Sequence, residues 1–255
     1  MKLPRRLAHG QGAELVDHLG ELRARIVVSL VALGAGFGVA YAFHARLIEW
    51  LNAPLPAGHH QPVTFGVTEP FVTSVKISLF AGFGLALPII LWQVWSFLAP
   101  AFDRSTQRAL VGFVAIASIL FAGGVAFGYA IALPAAVHFL TSYDSNIYNI
   151  QIRASNYYSF ALMVLASVGL VFELPVFVLA LVRLGVTSSA RLRRSRRIGY
   201  VAMVALAVAL PGVDPVTTAM EAAPLLVLYE GSIWAAVFFE KRWAAPKSAP
   251  GLSGA

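Results

Sequence analysis

Much of this chain is taken up by uninterrupted apolar runs longer than a soluble domain ordinarily needs, separated by short segments in which its arginines concentrate. Residues 26–43, 77–97 and 109–133 carry no charge, and 157–182 carries only Glu173. A helix needs roughly 20 mostly apolar residues to cross a hydrocarbon core of about 30 Å, so each run predicts a membrane-spanning helix. The mean hydropathy of +0.74 agrees with a bilayer as the solvent.

The last third is less regular. Residues 198–210 are uncharged but few, and Pro211-Gly212-Val213-Asp214-Pro215 follows before a final apolar run, 216–239. A Pro/Gly/Asp turn between two apolar runs predicts a hairpin of two shorter spans. The expected fold is therefore all-α: a polytopic membrane protein of six transmembrane helices, the last two short, forming one transmembrane domain over 1–240. The tail 241–255, rich in Ala, Pro, Ser and Gly, is expected to be disordered.

The basic residues set the expected orientation. All but Arg46, Lys76 and Arg153 of the 19 lysines and arginines fall in the N-terminal segment, the segment 103–108, the arginine-rich loop 183–197 or the C-terminal tail. Those four regions lie on one side of a six-span protein, and the positive-inside bias makes that side cytoplasmic, with both termini in. The net charge of +7 arises from these clusters, which are not interleaved with exposed aromatics, so nucleic acid is not expected as a partner.

Other classes fall away by motif. There are no cysteines, which removes disulfides, iron–sulfur clusters and thiolate metal sites. Neither G-x-S-x-G, H-E-x-x-H nor a P-loop is present, and no cofactor or metal is expected. An enzyme is not expected. A small secondary transporter with an intramembrane glutamate is the alternative; it would show inverted repeats, and spans one to three share no clear motif with four to six.

Carboxylates within apolar runs are expensive and should face protein or water, which singles out Glu173, Glu221 and Glu230. Glu173, in Phe172-Glu173-Leu174-Pro175, either shapes a polar intramembrane site or serves helix packing near carbonyls freed by Pro175. Glu221 and Glu230 either meet a partner or snorkel to the interface. Asp214 between two prolines has a ready explanation as a turn residue. Residues 14–25 read as an amphipathic helix leading into span one, with Leu15, Leu19, Leu22 and Ile26 on its apolar side and Glu14, Asp17, His18, Glu21 and Arg25 opposite. Glu21 could receive a guanidinium pair by charge-assisted hydrogen bonds, or pair with Arg25 at i, i+4.

These residues resemble one family. His18-Leu19-Gly20-Glu21-Leu22-Arg23-Ala24-Arg25 is similar to the H-L-x-E-L-R-x-R signature before the first span of TatC proteins. Glu69-Pro70-Phe71 before Lys76, Leu87-Pro88-Ile89-Ile90-Leu91-Trp92, Ala99-Pro100-Ala101-Phe102, Phe172-Glu173-Leu174-Pro175 and Pro211-Gly212-Val213-Asp214-Pro215 follow in order. The resemblance implies a receptor for the twin-arginine signal peptides of folded cargo. It also implies self-association, assembly with single-span TatA/TatB-type subunits, and export driven by the protonmotive force across a prokaryotic inner membrane. It assigns signal-peptide binding to Glu21, with His18, Leu22 and Arg23 in support, and intramembrane or partner contacts to Glu173, Asp214 and Glu230. One departure stands out. The family's second signal-peptide glutamate is missing from 103–108, where Asp103, about three residues early, is the acidic residue present.

Overall fold

A computed structural model of the chain describes residues 15–56, 61–98, 110–147, 150–210 and 215–244. Asp103, Asp214, the turn 211–214 and the tail 245–255 lie outside these residues, as does the side chain of His18.

The described residues are helical, with one isolated β-bridge between Val63 and Arg153. The helices are α1 (Leu15–Ala42), α2 (His44–Asn52), α3 (Glu69–Leu98) and α4 (Leu110–Phe127), which continues through a π-helical turn (Gly128–Ala132) into α5 (Leu133–Ser142). They go on with α6 (Ala154–Val171), α7 (Leu174–Arg183), α8 (Ser189–Arg194), α9 (Arg196–Ala209) and α10 (Pro215–Ala244). Among the described residues, five stretches are long and apolar enough to cross a membrane: Gly20–Ala42, Glu69–Phe97, Val111–Ser142, Ala154–Arg183 and Pro215–Lys241.

The expected amphipathic lead-in and span one form a single helix, α1. It packs along α3, where Gly36 and Gly82 meet backbone to backbone: a β-carbon on Gly82 would lie 2.5 Å from the Phe37 nitrogen. Small residues at a helix crossing allow this approach in a solvent that gives apolar side chains no other reason to associate. α4 and α6 repeat the device on a smaller scale, with Gly124 against Phe172 and the Gly169 backbone.

Span four is broken. Pro175 has no N–H to donate to the Val171 carbonyl, so α6 stops at Val171 and α7 restarts at Leu174, leaving Phe172 and Glu173 between them. Pro134 has a matching effect on the previous span, where the π turn takes up the missing bond. The interruptions are neighbours: the Phe127 and Phe172 rings lie 5.7 Å apart between centroids.

Two expectations are corrected. The final helix is not short: α10 runs for 30 residues, about 45 Å, because Pro224 sits within it without ending it and its last turns are anchored by Glu240, whose carboxylate accepts from the Ser189 N–H at 2.9 Å. The loop 183–197 is largely helical, since Ser188 caps α8 by accepting from the Arg191 N–H and Leu192 packs onto the cluster of Leu179, Val182 and Ala236. α9, at 14 residues, spans only about 21 Å.

Candidate functional site

Three polar constellations stand out, one at each end of the helices and one between them. The first is Glu21. Its Oε1 accepts from Arg25, with Nε at 3.2 Å, and Arg25 reaches on to the Gln93 carbonyl on α3 at 3.5 Å. Both side chains are largely covered, and Glu21 Oε2 has no hydrogen-bond partner among the described residues. Intrahelical pairing is thus realised, and it leaves half of the carboxylate unused. Leu22 is half-buried beside it and Arg23 is exposed.

The second lies in the helices. Glu230 does not snorkel: Tyr200 donates its hydroxyl to one oxygen and Arg196 pairs with the other at 3.2 Å, so a carboxylate on α10 is held by two residues of α9, of which Arg196 balances its charge. Glu221 faces inward and is 2% exposed, which rules out snorkelling there too. Glu173, at the α6–α7 break, has Oε1 buried without a hydrogen-bond partner among the described residues. An unsatisfied carboxylate oxygen in such a place is costly.

The third was not anticipated as a site. Glu69, at the start of α3, accepts from the Phe65 and Gly66 N–H groups at 3.1 and 3.2 Å, from the Ser155 N–H at 3.0 Å and from Arg153 Nε at 3.1 Å. Arg153 also lies over the Phe65 ring, 5.7 Å from its centroid. The bridge beside it, with Val63 N–H donating to Ile152 and Ala154 N–H to Val63, closes the seam between two loops. Nearby, the hydroxyls of Tyr129 and Tyr157 donate to the Trp50 and Leu51 carbonyls at the end of α2, where the Trp50 carbonyl also accepts from the Ala53 N–H. That face is therefore pinned at several points.

The structure does not gather Glu21, Glu173 and Glu230 into one pocket. They sit on α1, at the α6–α7 break and on α10. The two interrupted spans are consecutive, not at corresponding positions of two halves as in an inverted-repeat transporter.

Over residues 17–224 the chain matches the family described as Sec-independent protein translocase protein (TatC). The chain belongs to the TatC family. It is 37% identical to the Sec-independent protein translocase protein TatC of Carboxydothermus hydrogenoformans over 229 residues, 89% of this chain and 94% of that protein. It is also 37% identical to the chloroplastic TATC of Arabidopsis thaliana over 221 residues, 86% of this chain and 65% of that one. A crystal structure of the twin-arginine translocase receptor TatC in DDM superposes with a TM-score of 0.75 at 32% identity, over 86% of this chain and 99% of that one. The TatC-family chain is thus a multi-pass membrane protein of a protein translocase.

Proposed function

We propose that this chain is the receptor subunit of a twin-arginine translocase, binding the signal peptides of folded cargo through Glu21. We further propose that it crosses a prokaryotic inner membrane six times, with α9 as the short fifth span and both termini cytoplasmic, as one domain over 1–240. The arginine distribution supports the orientation. His18, Leu22, Arg23 and Asp103 are proposed as supporting contacts, and Glu173, Asp214 and Glu230 as contacts to TatA/TatB-type single-span subunits or to further copies of the chain.

The observation that carries the reading is the state of Glu21: one oxygen already holds a guanidinium, that of Arg25, and the other is unused. A carboxylate that binds one planar fork is chemically matched to another, and lysine, as a point charge, is a poorer substitute. A fluorescent twin-arginine signal peptide should therefore bind the purified chain selectively over its Lys-Lys counterpart. Glu21→Gln should weaken binding of the twin-arginine peptide about 10- to 100-fold, the worth of one charge-assisted hydrogen bond. Equal affinity of wild type and Glu21→Gln would remove Glu21 from the site, and a loss confined to Asp103→Ala would move the contact to that residue.

A further inference from the structure

We infer that the α8–α9 corner and the groove below it form a binding site for one anionic phospholipid, its phosphate held by Arg197 with Arg193 and Arg194 and an acyl chain lying between α9 and α10. Three observations meet there.

The first is unspent charge. Arg193, Arg194 and Arg197 are exposed, and none has a hydrogen-bond or ion-pair partner among the described residues. The nearby carboxylates are occupied: Glu230 by Arg196 and Tyr200, Glu240 by the Ser189 N–H. The charge of Glu230 is compensated by Arg196, and neither acid pairs with Arg193, Arg194 or Arg197. The corner is also rigid, because Leu192 seats α8 in the cluster of Leu179, Val182 and Ala236.

The second is a mostly apolar groove of about 740 Å³ between α9 and α10, lined by Val201, Val204, Ala205, Leu226 and Val227 and by the hydrogen-bonded pair Tyr200 and Glu230. Its aliphatic walls offer an acyl chain what the surrounding bilayer offers, with fixed contacts added, and the Glu230 carboxylate is held by Arg196 and Tyr200.

The third is register. Arg197, Val201, Val204 and Val208 fall at i, i+4, i+7 and i+11, one face of α9. Their valines are 71%, 45% and 64% exposed, so the stripe is bilayer-facing and ends in a guanidinium. A chain in the groove thus brings its phosphate to the level where Arg197 stands, and guanidinium matches phosphate through paired N–H···O bonds. Charge complementarity favours an anionic headgroup over a zwitterionic one, whose own cation would be repelled.

The test uses the full chain, expressed without partner subunits and exchanged into mild detergent with equal amounts of phosphatidylglycerol and phosphatidylcholine of the same acyl chains. Retained lipid is counted by native mass spectrometry. Wild type is expected to retain phosphatidylglycerol at least tenfold over phosphatidylcholine, and R193Q/R194Q/R197Q to retain the two about equally. Val204→Trp, which leaves every charge in place and fills the groove, should lose long-chain phosphatidylglycerol while the melting midpoint is kept. The triple arginine-to-lysine variant, which preserves net charge, should fall between wild type and the glutamine variant. Equal retention by wild type overturns the site, as does selectivity that survives the glutamine substitutions. Co-purification of a protein span that Val204→Trp displaces while lipid selectivity is unchanged would reassign the groove to that partner.

Discussion

Substituting leucine for Gly82 is expected to force α1 away from α3 and to destabilise the protein by about 3 kcal/mol, the upper part of the usual range for overpacking. The atoms a β-carbon would strike are backbone atoms of Gly36 and Phe37, at 2.5–2.8 Å, so no rotamer change relieves the clash. Even Gly82→Ala should lower the melting midpoint in detergent, although alanine is intrinsically the better helix former by roughly 1 kcal/mol. Gly34→Ala is the control: nothing lies within 4 Å of its added carbon, and it should be neutral or mildly stabilising. Similar behaviour of the two alanine variants would show that the crossing is looser than described. The consequence extends to Glu21, because the guanidinium that covers it also reaches the Gln93 carbonyl on α3. Separating the helices should therefore disturb peptide binding from a distance of several helical turns.

The second large effect is expected at Glu69. Glu69→Ala removes the acceptor for three backbone N–H groups and for Arg153 at once. The amide hydrogens of Phe65, Gly66 and Ser155 should then exchange roughly 10- to 100-fold faster, the cost of orphaning a donor. Arg153→Ala should be milder, because Arg153 is half exposed and its loss leaves the three N–H bonds in place. Protection unchanged in Glu69→Ala would mean that the bridge between Val63 and Arg153 holds the two loops by itself.

What was legible in the chain followed the range of the interaction. The apolar runs are local, and each of the five long apolar stretches begins or ends within a few residues of where hydrophobicity places it. The Glu21–Arg25 pair is local too, at one helical turn. The break of span four could be anticipated at Pro175, since a missing N–H acts four residues away. The partners of Glu230 and Glu69 could not, because Arg196 is a different helix's residue and Arg153 stands 84 positions from Glu69. The Gly36–Gly82 contact was hidden for another reason: the obvious small-residue spacing, Gly34 to Gly38, belongs to glycines with open space beside them. The helix α2 was missed because nine residues of mixed polarity carry little periodic signal, and the tyrosines that finish its end lie far downstream.

The 84 positions between Glu69 and Arg153 also have a meaning in time. Both residues belong to the same seam, but the ribosome completes Glu69 first and must then deliver the rest of α3, α4, the π turn and α5 before Arg153 exists. Until the intervening helices have crossed the bilayer and returned, the carboxylate has no guanidinium to meet and the Val63 backbone has no bridge partner. The joining of these two loops is therefore a late event in biogenesis, and a chain arrested before residue 153 would present the first loop unlatched to any quality-control protease on that side of the membrane.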